Sequence, residues 1–188
     1  MYILIVDDSK SICGTLEKLI SEELGYKTIV ANDKHECEEK LLEYKGKIAV
    51  AILDLALPDA PDGEVIDSVT KFNIPSIVLT GSEIREDILK DKDIVDYVIK
   101  EGRFAYEYIL SLIKRIITTQ NTKVIVANHS KEIASSAIKL LKRYRLSCFY
   151  AKDGQEVLDI LKKVKDVKLV FTDYSMPNMN GLELTKKI

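Results

Sequence analysis

Five side chains in the first hundred residues could together handle phosphate: Asp7, Asp8, Asp54, Thr80 and Lys100. Each follows an apolar run. Asp7 and Asp8 close Tyr2-Ile3-Leu4-Ile5-Val6, Asp54 closes Ala49-Val50-Ala51-Ile52-Leu53, Thr80 closes the run from Pro75, and Lys100 the run from Val95. If these runs are strands of one parallel sheet, their ends share the edge where such sheets bind ligands. Three carboxylates gathered there repel, so at least one resists ionising unless a cation is present. Oxygen-only ligands suit Mg²⁺. Asp8 and Asp54 are the expected direct ligands, the Ala56 carbonyl a third, and Asp7 a ligand through water. The metal and Lys100 would offset charge on an incoming phosphoryl group. Asp54 would be the nucleophile, forming an acyl-phosphate. A blander reading has Asp7 and Asp8 only capping a helix. Polar groups at four strand ends, in order along the chain, weigh against it.

The spacing predicts the elements that would position these groups. Ile12, Leu16, Leu19 and Ile20 stripe a first helix that Gly25 stops, and Lys27 to Ala31 is a second strand. Asp33 with Glu36 reads as a helix N-terminal capping pair, with the helix running to about Tyr44. The Asp54 strand, apolar throughout, reads as buried on both faces. A loop with Pro58, Pro61 and Gly63 leads to a helix ending near Phe72, and short helical signals cover Glu83 to Lys90. Ile109, Leu112, Ile113 and Ile116 mark a last helix. Strands alternating with helices predict an α/β fold, a doubly wound parallel sheet covered on both faces.

The pattern then restarts. Thr118 to Thr122 is polar, and residues 119–122 are assigned as a linker between a unit at 1–118 and a second at 123–188. Val124 to Val126, Ser147 to Ala151 and Lys168 to Thr172 are its strands, and Ile133, Ala137, Leu140 and Leu141 stripe its first helix. Its third strand ends on Asp173, and 173 − 54 = 119 gives the repeat offset. A repeat that long is a duplicated domain, not a solenoid. Strands matching Pro75–Thr80 and Val95–Ile99 do not follow, so the chain is expected to be a fragment of a longer protein. The half sheet is expected to leave an edge and an apolar face uncovered.

Composition narrows the function classes. The 188 residues are 46% hydrophobic and 31% charged, with net charge −2. That balance offers no electrostatic case for nucleic acid as a direct partner. Cys13, Cys37 and Cys148 fit neither a disulfide framework nor a zinc spacing, and are expected to be free thiols in a reducing compartment. With no signal peptide and no apolar run of membrane-spanning length, the expected location is the cytoplasm, away from membranes. A Walker loop is absent.

The first unit resembles the receiver domain of two-component response regulators. The likeness rests on Ile5-Val6-Asp7-Asp8-Ser9, Asp54 with Pro58 four residues on, Leu79-Thr80-Gly81, and Asp96-Tyr97-Val98-Ile99-Lys100. It implies a flavodoxin-like (CheY-like) five-stranded parallel sheet. It implies Asp54 as phosphoacceptor, served by a sensor histidine kinase or phosphotransfer protein. Thr80 and Tyr97 match a switch pair, in which the hydroxyl moves to the phosphate and the ring turns inward. Two features depart from the pattern. Glu101-Gly102 follows Lys100 where the family has proline, and Asp54 to Gly63 is one residue longer than Asp173 to Gly181. The run Leu57 to Glu64, with Asp96 to Gly102, looks like a subgroup in which two receivers precede a diguanylate cyclase (GGDEF) domain. On this reading the chain is no enzyme itself, and its output domain lies beyond Ile188.

The second unit repeats the receiver phosphoacceptor loop, Asp173 to Gly181, without the acidic pair. Ala127 and Asn128 are read as standing where Asp7 and Asp8 stand, with His129 after them. The expectation is a truncated pseudo-receiver that packs or dimerises, with Asp173 a doubtful phosphoacceptor. A sharper alternative has His129 and Asp173 hold a transition metal. For the whole chain two other functions compete. A haloacid-dehalogenase-type phosphatase would need Asp-x-Asp at one strand end. A phosphorylation-independent scaffold, with a second copy of the chain as partner, would leave the first site unexplained.

Overall fold

A computed structural model describes residues 1–81, 86–89, 92–100 and 102–188, with the backbone alone at Glu86, Asp87 and Arg103. The chain divides into two compact units, Met1–Thr118 and Thr119–Ile188.

The first unit alternates strand and helix: β1 (Tyr2–Val6), α1 (Lys10–Leu19), β2 (Lys27–Ala31), α2 (Lys34–Glu43), β3 (Ile48–Asp54), α3 (Glu64–Thr70), β4 (Ser76–Thr80), α4 (Glu86–Leu89), β5 (Asp96–Ile99) and α5 (Arg103–Thr119). The strands are all parallel, in the order β2-β1-β3-β4-β5. This is the expected flavodoxin-like order, which reverses direction between β1 and β3 and opens a crevice there at the strands' carboxyl ends. Every residue of β3 is buried, as an apolar strand covered on both faces must be. One face packs Leu4, Val6, Leu53 and Val78 against Val65 and Val69 of α3.

Local signals account for most boundaries. Asp33 caps α2 by accepting from the Glu36 amide at 2.7 Å, and Glu36 Oε2 accepts from the Asn32 amide at 2.8 Å. The first helix differs from expectation in its last turn. It passes into a π-helical turn at Ile20–Leu24 before Gly25, at φ 70°, ends it. Of the short helix expected at Glu83 to Lys90, α4 supplies Glu86–Leu89, and the remaining positions lie outside the described residues. Thr118 and Thr119, read as linker, belong instead to the end of α5. Thr118 turns its hydroxyl back onto the Lys114 carbonyl at 2.8 Å, which lets a polar residue sit in a helix.

The second unit holds β6 (Lys123–Ala127), α6 (Lys131–Arg143), β7 (Ser147–Ala151), α7 (Gly154–Lys163), β8 (Val167–Thr172) and α8 (Gly181–Thr185). Its parallel sheet has the order β7-β6-β8, matching β2-β1-β3. Among the described residues no strand lies beyond β8. Leu169 and Phe171 of β8 are 51% and 48% exposed, the uncovered face expected of half a sheet. Ile133 and Leu140 of α6 are exposed too, although their spacing marked them as a core stripe. In the first unit α5 lies beside the equivalent helix, where Thr15 and Leu19 share a groove with Tyr106 and Leu110. The second unit has no counterpart of α5 among its described residues.

Strand pairing corrects the alignment of the two copies. Val6 pairs with Ala31, and Ala127 with Ala151. The next amides repeat one bond: Asp7 N–H donates to the Ala31 carbonyl, and Asn128 N–H to that of Ala151. Asp7 therefore matches Asn128, and Asp8 matches His129; Ala127 matches Val6. The offset is 127 − 6 = 121 at the first strands and 151 − 31 = 120 at the second. Each connection in the second copy is one residue shorter, so an offset carried back from Asp173 slips at β6.

Candidate functional site

Each candidate side chain of the first unit stands at or just past the carboxyl end of a strand. Asp7 and Asp8 follow β1, Asp54 ends β3, Thr80 ends β4, and Lys100 follows β5. Backbone pairing sets the alignment: Lys100 N–H donates to the Thr80 carbonyl at 2.7 Å, and Leu55 N–H to that of Leu79 at 3.2 Å. Local geometry orients the first carboxylate, because Asp7 Oδ1 accepts from the Ser9 amide at 2.9 Å. Ser9, not Asp7 or Asp8, is the N-cap residue of α1. Neither acid occupies the cap position itself, although Asp7 bonds the amide of the cap residue.

The three carboxylates converge, with one ligand oxygen from each of Asp7, Asp8 and Asp54 within 4.8 Å of the others. Asp7 and Asp54 are buried, at 1% and 6% exposure, while Asp8 faces solvent. Lys100 Nζ bridges the two buried members, 2.9 Å from Asp7 Oδ2 and 2.8 Å from Asp54 Oδ2. The contact to Asp7 Oδ2 is ionic without directed hydrogen-bond geometry, and that buried oxygen has no other partner among the described residues. Asp54 Oδ1 accepts weakly from the Ala56 amide at 3.4 Å.

Burial raises the Asp54 pKa above its ordinary carboxylate value, and the Lys100 ion pair offsets only part of this. Burial acts on Lys100 to lower its pKa, but bonds to Asp54 and Asp7 outweigh it and leave the ammonium raised. The two shifts point in opposite directions energetically. Both follow from the packing: Asp54 is the more enclosed partner, whereas Lys100 meets two carboxylates. Asp54 thus ionises reluctantly without a further cation. A donor set of oxygens only, with one buried oxygen lacking a directed partner, fits a hard divalent cation.

Thr80 is 3% exposed, and Tyr97, on the neighbouring strand, is 37% exposed with its ring outward. Asp96 precedes Tyr97 in β5: its Oδ1 accepts from the Tyr97 backbone amide at 2.8 Å and its Oδ2 from the Tyr108 hydroxyl at 2.6 Å. Sequence reasoning missed this Asp96–Tyr108 bond. Glu101, where the family pattern has proline, lies outside the described residues.

The second copy keeps the edge and changes its chemistry. Asn128 Oδ1 accepts from the Ser130 amide at 2.8 Å, as Asp7 does from Ser9. His129 Nδ1 lies 3.3 Å from Asp173 Oδ2. A ring nitrogen, a neutral amide and one carboxylate replace three carboxylates. The described acidic cluster that could hold a metal is the one in the first unit. Gly181 is needed at this site, because a Cβ there would meet the Asp173 carbonyl at 2.4 Å. The extra residue of the first copy lies before Gly63, which caps α3 at φ 73°, whereas Asn180 caps α8 with a full capping box.

Comparison with known proteins agrees with this geometry. The response regulator receiver domain family matches residues 124–188. The chain is 55% identical over 38 residues to the chemotaxis protein CheY homolog of Campylobacter jejuni subsp. jejuni, a match spanning 20% of this chain and 29% of that relative. Two solved structures described as two-component system response regulator/GGDEF domain proteins superpose with TM-scores of 0.87 and 0.86. Both are 29% identical and match 99% of this chain, covering 76% and 75% of their own. The response regulator domain of Thermotoga maritima CheB, at 22% identity and a TM-score of 0.53, matches 61% of this chain and 93% of its own, and shares the fold.

Proposed function

The chain is a response regulator receiver protein with two receiver sheets, and on that premise we propose that its first unit is a switch set by phosphorylation of Asp54. The observation that carries this is the Lys100 ammonium bridging Asp54 and Asp7 at the carboxyl edge of the sheet, with Asp8 in the same cluster. A sensor histidine kinase or phosphotransfer protein is the donor. An Asp54 carboxylate oxygen forms an O–P bond as the N–P bond of a phosphohistidine breaks. The electron pair leaves on the imidazole nitrogen, which takes a proton from solvent.

Asp7, Asp8 and Asp54, with the Ala56 carbonyl, would hold Mg²⁺, which when bound offsets charge on the phosphoryl oxygens. Lys100 supplies a second positive charge to those oxygens once Asp54 is phosphorylated. Thr80, one strand over, donates its hydroxyl to the phosphate, and Tyr97 turns into the space that Thr80 leaves. Burial of the acceptor keeps water from the new acyl-phosphate.

The second unit is a pseudo-receiver. Asn128 and His129 in the places of Asp7 and Asp8 support this, since neither brings a carboxylate to the metal. It serves as a packing or dimerisation module, not as a second acceptor. The GGDEF domains named in the two relatives at 29% identity support a diguanylate cyclase as the output that this switch controls. The setting is the cytoplasm; no helix among the described residues is long and apolar enough to cross a membrane.

The test is incubation with acetyl phosphate, with and without Mg²⁺, followed by mass spectrometry of intact protein and peptides. One phosphoryl group on Asp54, dependent on Mg²⁺ and absent in Asp54→Asn, is expected. No labelling of Asp54 under any donor, with assembly and output unchanged in Asp54→Asn, would leave the scaffold reading in its place.

A further inference from the structure

We propose that Asp59 is a positioning residue for phosphoryl transfer, clasping the phosphoacceptor loop to the N-terminus of α2 so that Ala56 stays in place beside Asp54. Asp59 lies in the loop five residues past the acceptor (59 − 54 = 5). Its Oδ1 accepts from the Lys34 amide at 2.9 Å and its Oδ2 from the His35 amide at 3.1 Å. Those amides belong to the first turn of a helix, which has no internal acceptors for them and favours negative charge. Two charge-assisted bonds from one carboxylate fix both its position and its orientation. Within the loop, Leu57 and Ala60 exchange backbone bonds at 3.2 and 3.1 Å, and both side chains are buried. The turn around Asp59 is therefore closed on itself between Leu57 and Ala60. A displacement at Asp59 is carried to Ala56, whose amide meets Asp54 Oδ1.

The second copy makes the same clasp with opposite polarity. Asn178 stands five residues past Asp173 (178 − 173 = 5). Its Nδ2 donates to Asp153 Oδ2 at 2.6 Å, and Asp153 is the N-cap of α7 as Asp33 is of α2. A carboxylate on helix amides in one unit becomes an amide on a helix-capping carboxylate in the other. The same loop-to-helix connection is thus made with a carboxylate in one unit and an amide in the other, so it does not depend on the charge of the loop residue. The Lys34 N–H, helped by that of His35, also holds the Asp59 carboxyl below its ordinary pKa.

This rests on Asp54 being the acceptor, and the two ideas fail differently. The experiment measures the rate of phosphorylation by acetyl phosphate and Mg²⁺ on phosphate-affinity gels, for wild type, Asp59→Ala and Asp59→Asn, with thermal melting alongside. Asp59→Ala should be phosphorylated about tenfold more slowly, because misplacing a group by a fraction of an ångström is costly in rate, while melting within a few degrees of wild type. Asp59→Asn should recover most of the rate, because Asp33 is there to accept its amide as Asp153 accepts Asn178. The double variant Asp33→Asn with Asp59→Asn should lose it again. An Asp59→Ala rate equal to wild type, or an Asp59→Asn rate as slow as that of Asp59→Ala, overturns the clasp alone. A wild-type chain that takes no phosphate overturns the acceptor reading and the clasp with it.

Discussion

Lys100 Nζ sits 2.8 Å from Asp54 Oδ2, yet burial still lifts Asp54 above its ordinary pKa of 3.8, while Lys100, against burial, is lifted above 10.5 by Asp54 and Asp7. For Asp54 the folded state holds its proton more tightly than the unfolded chain. Stability from this group is thus highest below pH 3.8 and falls as pH rises through the raised folded value. Asp54→Asn should therefore melt at a higher temperature than wild type near neutral pH, with the difference closing as pH falls below that point. Lys100 has the opposite bearing. Its contribution is complete below pH 10.5 and is lost as pH rises through the folded value above it. Lys100→Met should destabilise the unit by roughly 2–4 kcal/mol at neutral pH, since it leaves two buried carboxylates without their cation. Melting curves of both variants across pH check the two signs together.

A divalent cation should relieve the same strain. Ligand binding to the folded state alone stabilises by about 1.4 kcal/mol at ten times Kd. Mg²⁺ is expected to raise the melting temperature of the wild-type chain and to do so much less for Asp8→Asn. Asp8 is the informative position because it faces solvent. Its substitution leaves the packing of Asp7 and Asp54 intact, so a lost Mg²⁺ response reports ligation. Equal Mg²⁺ shifts in the two proteins would remove Asp8 from the ligand set.

The acidic edge was legible because strand ends announce themselves. An apolar run stopped by a charge marks a carboxyl terminus of a parallel strand, and Asp7, Asp54, Thr80 and Lys100 each stop one. The capping pairs at Asp33 and Asp153 were legible for the same reason, a short-range pattern with one geometric meaning. Connections carry no such period. The single residues lost between β6 and β7, and again before β8, leave no mark on a helix stripe or a strand run. They nevertheless moved Asn128 and His129 one place along the acidic pair. Asp59 was hidden because its partners, the Lys34 and His35 amides, are backbone groups 25 and 24 residues away. The π-helical turn at Ile20–Leu24 likewise keeps the apolar spacing of an ordinary helix.

That one-place shift makes a prediction about metal stoichiometry. With Asp7 matched by Asn128 and Asp8 by His129, the paired change Asn128→Asp and His129→Asp recreates three carboxylates around Asp173. Calorimetric titration should give one Mg²⁺ site for the wild-type chain and a second, weaker site for the double variant. Matching Ala127 and Asn128 to Asp7 and Asp8 would instead place the acids at 127 and 128. Ala127 is buried inside the sheet and paired with Ala151 and Thr172, so a carboxylate there would disrupt β6 without binding metal. A single site in the variant at positions 128 and 129 would show that the strand-paired correspondence does not rebuild the cluster.

Hydrogen exchange should separate the two sheets. In the first unit β3 lies between β1 and β4, with all seven of its residues buried. In the second unit β8 has β6 on one side only among the described residues, and Leu169 and Phe171 stay about half exposed. Local opening follows the amount of apolar surface that each element buries. Slow-exchanging amides of Ile48–Asp54 should therefore report global unfolding of the first unit. Amides of Val167–Thr172 should exchange faster, by about 10²-fold if the edge lacks some 3 kcal/mol of burial. Protection of β8 equal to that of β3 in the isolated chain would mean that the uncovered face is already occupied, and native mass spectrometry of the same sample would then identify a second copy as its cover.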